Sequence, residues 1–465
     1  MNATRKAVFM VVAMALCAGV RAGAQKQTPP EGGPAKAFSV PAHETYTLPN
    51  GLKVTLISYG IIPKVTIDFM IVAGSADERK DRQGVAGLTA ELMKEGTEKL
   101  TSSQLADEAA RMGSTLDVSS SYDRTDAGLD VLSEFGPDAV RLLGDVVVHP
   151  RLPETELERL KNDKLRQIAL GSSQPQTIAS MRFHKILYGD HPYSVVLPSQ
   201  ADVKKITIQD VRDFVAANFN PRRAHIYMAG KFDVPAVKKA LAESLGGWNA
   251  TGPARAATVP NPRPQRILDV TDRPGAPQST IMMGLPVVSN DSPDAIPLQV
   301  TNALLGGSFN SRITANIREQ KGYTYSPFGA ISNRYRDSYW VEQADVTTKF
   351  TGASLKEIVG EINRLAAEPP TPMELKGIQN YLSGLFVLRN SSRGALIAQL
   401  ENIDTLGLGD DYLNTYVAKV NAVSAADVQK MTAQYLKPSS MTIVVVGDKS
   451  SITDQLVPFQ ADKPL

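Results

Sequence analysis

Residues 207–230 read TIQDVRDFVAANFNPRRAHIYMAG, and residues 424–447 read SAADVQKMTAQYLKPSSMTIVVVG. The two align without a gap at an offset of 217 residues. Asp210 meets Asp427, Val211 meets Val428, Pro221 meets Pro438 and Gly230 meets Gly447, and the apolar positions between them agree. Each copy specifies the same local physics: a helix start with an acid in its first turn, a proline after the helix end, then a buried strand stopped by glycine. A period this long means duplicated domains, not a solenoid. The join falls at 246–265, where Pro253, Pro260, Pro262 and Pro264 keep the chain extended. The reading therefore places one domain at 45–245 and a second of the same architecture at 266–465.

Working outward, Tyr46-Thr47-Leu48 and Leu52–Ile57 flank Pro49-Asn50-Gly51, and Asn-Gly predicts a hairpin with a type I′ turn. Lys64–Val72 is a third β-rich run, and Thr115–Asp130 is again strand-like, its residues alternating with Tyr122 and polar punctuation. Helical patterns cover Ala86–Lys94, Ser102–Met112, Gly136–Val148, Glu154–Ala169 and Gln209–Asn218, before a strand at Ala224–Ala229. Strands and helices alternating with hairpins predict an α+β fold: two homologous α/β-sandwich domains, each a mostly antiparallel sheet with helices.

Residues 1–24 have the form of a cleavable secretory signal, with Arg5 and Lys6 before the apolar run Ala7–Val20, and Ala22-Gly23-Ala24 at the cleavage site. Export to the periplasm or the exterior is the expectation. Cys17, the only cysteine, lies inside that apolar run, so the mature chain has no disulfide, thiol nucleophile or thiolate site. Residues 25–44 read as a flexible lead-in. Residues 25–465 carry 47 basic against 48 acidic residues, a balance that points to neither nucleic acid nor a membrane surface. No later stretch approaches the ~20 apolar residues of a membrane span.

Leu304–Ala330, LLGGSFNSRITANIREQKGYTYSPFGA, holds the candidate chemistry. A short helical pattern carries Ile313, Ile317 and Arg318, Gly322 breaks it, and a β-rich run begins at Tyr323-Thr324-Tyr325. Arg318 is a fixed fork of donors and Tyr325 a neutral donor. Together they suit a peptide carbonyl and the oxyanion formed on attack. The structural alternative is an arginine complementing a helix C-terminus beside a core tyrosine.

Several segments carry a family resemblance: GVAGLTAELMKEGT at 84–97, HPY at 191–193, LGGSFNSRI and IREQKGYTYS in the second half, and the closing YLKPSSMTIVVVGD. The chain resembles the insulinase/pitrilysin family of zinc metallopeptidases, in its short two-domain branch that includes processing-peptidase subunits. Active members place H-x-x-E-H on the helix matching 84–97, two imidazoles holding zinc and the glutamate activating water. In that register the histidine positions are Gly87 and Glu91, the base position is Ala90, and the remote glutamate falls near Lys164. The five histidines, His43, His149, His184, His191 and His225, form no i, i+4 pair. Glu91 and Glu95 share a helical face and read as a solvated or interface-facing patch.

The resemblance implies a division of labour. In two-subunit members one chain carries zinc and a degenerate partner carries an arginine–tyrosine pair, here Arg318 and Tyr325, with Tyr323 the second choice for the phenol. The expectation is a non-metal subunit of an exported heterodimeric zinc peptidase. It holds no cofactor itself, Zn2+ lies in a homologous partner, and a peptide or unfolded protein is the substrate. The alternative is a non-catalytic scaffold or peptide-binding protein of the same fold.

Overall fold

A computed structural model describes residues 38–255, 258–409 and 411–463. The signal at 1–24, with Cys17, and most of the lead-in lie outside them. In the first repeat copy the Thr207 hydroxyl accepts from the Asp210 amide, and the Asp210 carboxylate accepts from the Thr207 amide. Ser424 and Asp427 repeat this reciprocal cap on the Ala425–Tyr435 helix. Each cap satisfies two otherwise orphaned amides at the start of a helix. A short 3-10 turn beginning at Pro221 or Pro438 comes next, then a strand.

The first sheet contains β1 His43–Thr47, β2 Lys53–Ser58, β3 Lys64–Ile71, β4 Asp117–Ser120, β5 Thr125–Leu132 and β6 Ala224–Gly230. Their spatial order is β1-β2-β6-β3-β5-β4. The second contains β7 Ile267–Asp272, β8 Gln278–Val287, β9 Phe328–Arg334, β10 Asp337–Thr347 and β11 Thr442–Gly447, in the order β7-β11-β8-β10-β9. Setting β2 on β7, β6 on β11, β3 on β8, β5 on β10 and β4 on β9 makes the two orders coincide, with β1 an additional edge strand of the first sheet. In both sheets the first of these pairs is parallel and every other pair antiparallel. The duplication is thus a duplication of topology.

Every residue of β6 and of β11 is buried, as in strands covered on both faces. On one face each sheet packs helices of its own half. Val140, Leu143 and Leu241 join the core of the first sheet, and Ile358, Ile362 and Val428 that of the second. On the other face the halves exchange helices. Pro175–Tyr188 lays Ala179, Phe183 and Leu187 against Met282, Val341, Val444 and Val446 of the second sheet. Arg393–Leu406 lays Leu396 and Ile397 against Ile57, Met70 and Tyr227 of the first. Polar ties fix both. Arg182 grips Asp269 in a bidentate pair, the Tyr188 hydroxyl donates to Asp337 at 2.6 Å, and the Tyr227 hydroxyl donates to Asp404 at 2.6 Å.

The structure departs from the sequence reading in three places. The first hairpin does not turn through a type I′ pair: only Gly51 has positive φ, at 97°, and the Gly51 amide donates to the Leu48 carbonyl. Pro49 pre-sets a type I turn at its first central position, and Gly51 closes it as a bulge. The 115–130 run is not one strand but the hairpin β4–β5, reversed where the Ser121 amide donates to the Arg124 carbonyl. The charged helix continues to Ser173, past the expected Ala169.

Candidate functional site

The helix matching the family's zinc motif runs from Val85 to Met93, its start set by Gly84 at φ 101°. Glu78 caps it, one carboxylate oxygen accepting from the Gly84 amide and the other from the Ala86 amide, both at 2.8 Å. Burial pushes the Glu78 pKa up to about 7, against the pull of those amides and of Lys164. Gly87 faces Lys164: a Cβ on Gly87 would lie 3.8 Å from the Lys164 Nζ. The two halves of the aligned site therefore do meet in space. Ala90 is buried in the core, and Glu91 turns to Lys94, at 2.6 Å. Glu95 pairs with Arg159.

Zinc needs three or four nitrogen, sulfur or oxygen ligands. Gly87 and Ala90 offer no donor atom, and the ammonium of Lys164 repels a cation. These residues do not fit a zinc ion. The histidines are engaged elsewhere. His184 contacts the Tyr339 hydroxyl at 2.8 Å, His225 contacts Thr55 and Asp404, and His191 contacts the Thr258 carbonyl. Burial depresses the His184 pKa to about 4. Among the described residues one set of three potential metal-binding side chains converges, Asp68, Asp126 and Glu401, with no imidazole in it. Arg124 already bridges two of these, lying 3.0 Å from Asp126 and 3.3 Å from Glu401.

The second half places Arg318 and Tyr325 together. Ala303–Gly307 and Thr314–Gln320 are wound as wide π-type turns, a geometry often found at functional sites. Arg318 lies in the last turn of the second of these, and Gly322 at φ 64° reverses the chain. The Tyr323 amide then donates to the Ile317 carbonyl, and the Thr324 hydroxyl donates to the Asp345 carbonyl at 2.7 Å. That anchoring leaves Tyr325 79% exposed. The Arg318 guanidinium carbon sits 5.0 Å from the Tyr325 ring centroid and 4.2 Å from that of Phe309. Such contacts are worth ~0.5–1 kcal/mol at exposed sites. Arg318 and Tyr325 also line a pocket of about 370 Å³ with Phe328 and Tyr381. Tyr323 does not join them. It stacks on Phe350 with the ring centroids 4.4 Å apart.

Three participants are not marked by the sequence. Phe309 lies within Leu304–Ala330, but an aromatic in a polar turn carries no periodic signal. Tyr381 comes from the Pro372–Arg389 helix, which the bidentate Arg312–Glu374 pair ties to the site. Glu342 is fully buried beneath the site with neither carboxylate oxygen hydrogen-bonded. Burial holds its pKa well above the carboxylate range, so it is a neutral acid. Its carboxyl fills the space above two glycines: a Cβ on Gly306 would lie 2.2 Å from its Oε2, and one on Gly329 would lie 2.7 Å away.

The family described as Insulinase (Peptidase family M16) matches residues 53–198, and the one described as Peptidase M16 inactive domain matches residues 205–382. Together they take in more than two thirds of the chain. An uncharacterized zinc protease YmxG of Bacillus subtilis is 24% identical over 397 residues, covering 84% of this chain and 94% of its own. A non-peptidase homolog YmxG of Helicobacter pylori is 22% identical over 401 residues, covering 84% and 90%. A crystal structure of a peptidase M16 inactive domain from Pseudomonas fluorescens has a TM-score of 0.80 at 22% identity, covering 87% of this chain and 98% of that one. The chain belongs to the insulinase family of peptidases, and it is a degenerate member whose first half lacks the family's zinc-binding residues.

Proposed function

We propose that the chain is the non-metal-binding subunit of an exported heterodimeric zinc metallopeptidase. Arg318 and Tyr325 bind a peptide or unfolded protein for cleavage at the Zn2+ of a homologous partner. The observation that carries this reading is the contact of Arg318 with the exposed Tyr325 beside a pocket, in a chain whose own helix has no imidazole and no donor atom at Gly87 or Ala90. Tyr325 is exposed and Arg318 partly so, where a substrate carbonyl held by a second subunit can reach them. The test purifies the chain alone and with its co-isolating partner, then measures bound zinc and peptide cleavage in each. Zinc and cleavage only in the pair support the reading; zinc with activity in the lone chain overturns it.

A second reading, a non-catalytic scaffold or peptide-binding protein, draws on a different observation. Arg318 already contacts two ring faces and Glu319, at 3.3 Å, which is a sufficient structural role. A relative named as a non-peptidase points the same way. A purified pair with neither zinc nor cleavage selects this reading.

A further inference from the structure

The Val85–Met93 helix borders a cavity of about 990 Å³ into which Gly87 and Lys164 both face. Because Gly87 has no side chain, the floor is open beneath the Lys164 ammonium. Five cationic side chains line the cavity: Arg79, Lys80, Lys164, Arg182 and Lys185. Three are committed, Arg79 to Asp81 and Asp210, Arg182 to Asp269, and Lys185 to Asp190. Lys164 and Lys80 have no ion-pair or hydrogen-bond partner among the described residues. The acids in the wall are Glu78 and Asp190. Glu78 has given both oxygens to backbone amides, and Asp190 is held by Lys185. Ile168 and the run Val195-Val196-Leu197-Pro198 give the wall one apolar stretch, among polar side chains that include Ser120, Ser172 and Gln200.

Lys164 acts on Glu78 through space but forms no salt bridge with it, and a cation so placed, beside an apolar stretch of wall, suits a ligand with one carboxylate on an apolar body. We infer that this cavity takes an apolar carboxylate, the C-terminal residue of a peptide, with Lys164 binding the carboxylate above Gly87 and the Val195–Pro198 wall covering the side chain. The position that cannot hold a cation thereby becomes an anion site. The inference concerns the first half and is tested on the chain alone, so its outcome is separate from that of the heterodimer reading.

The experiment is calorimetric titration of the purified chain with an N-acetylated hexapeptide ending in leucine, its C-terminal amide, and N-acetyl-leucine. The free acid should bind at least about tenfold more tightly than the amide. Lys164→Met should abolish that preference, Lys164→Arg should keep it, and Gly87→Leu should block binding by filling the floor. Lys164→Gln serves where Lys164→Met does not fold. Equal affinity for acid and amide, or a preference that survives loss of the lysine charge, overturns the site. N-acetyl-leucine binding as tightly as the hexapeptide overturns the peptide as the source of the carboxylate.

Discussion

The guanidinium of Arg318 lies over the exposed ring of Tyr325, 5.0 Å from its centroid. The contact presets both donors on one side of a shallow pocket. Arg318→Ala or Tyr325→Phe should lower turnover of the assembled peptidase by roughly 10²–10³, the cost of losing an oxyanion donor. Tyr325→Phe is the sharper test, because the ring and its contact survive while the hydroxyl is lost. Size-exclusion chromatography should show assembly intact in both, and unchanged turnover would remove the catalytic role.

Gly306 is held to glycine by Glu342, and Gly329 by Glu342 together with the Gly306 backbone, 2.9 Å from where its Cβ would lie. Gly306→Ala should destabilise the chain by ~1–3 kcal/mol through overpacking, read from denaturant unfolding. Combining it with Glu342→Ala should cost less than the sum of the two single changes, since the clash disappears with the carboxyl. Glu342→Gln should be tolerated better than Glu342→Ala, because the acid is already neutral and an amide fills the same space.

The carboxylates Asp68, Asp126 and Glu401 meet where the exchanged Arg393–Leu406 helix crosses the first sheet, with Arg124 their one cation at that contact. Burial raises all three, Asp126 to about 7; repulsion from Glu401 adds to it at Asp68 and Asp126, Asp404 adds to it at Glu401, and Arg124 opposes it at each. A raised pKa in the folded state means that the native chain binds more protons than the unfolded one. Stability from Asp126 is complete below about pH 4 and is lost as pH rises through about 7. His184, depressed to about 4, acts oppositely: its contribution is complete above about pH 6.5 and falls away in more acidic solution. The carboxylate effect is therefore read as a difference. Between pH 5.5 and 8, melting temperatures of Asp126→Asn should fall less than those of the unmodified chain. Parallel curves would show that the trio does not titrate in this window.

Phe183 belongs by sequence to the first half and by packing to the second sheet. Phe183→Ala should cost ~3–5 kcal/mol as a core truncation. Its local signature should be faster amide exchange in β8, β10 and β11, not in the neighbouring strands β3 and β5. Faster exchange confined to the first sheet would contradict the exchanged packing.

The duplication is legible because its determinants are local. Thr207 and Ser424 cap their helices through chemistry contained in four residues, and Pro221 and Pro438 fix the turn that leads into each strand. The turn at Asn50-Gly51 misleads because Pro49, one position earlier, settles its backbone. The Pro175–Tyr188 helix escapes the periodicity reading although Ala179, Phe183 and Leu187 recur at four-residue spacing behind a proline at the helix start. Of the site, Arg318 and Tyr325 can be paired from one stretch. Tyr323 cannot be separated from Tyr325 there, since what distinguishes them is the stacking partner Phe350, 27 residues on from Tyr323. Glu342 carries no signal, because a glutamate in a strand is ordinarily solvated.

The exchange of helices also sets a timetable. During synthesis the outer face of the first sheet is complete at residue 230, yet its cover, Leu396 and Ile397, has not been made. At ordinary elongation rates that face waits roughly 10–35 s on the ribosome. Neither half is a finished product when the 246–265 join emerges. A full chain cut there yields two fragments, each with a bare apolar sheet and a helix shaped for the other, and their simplest remedy is to find one another.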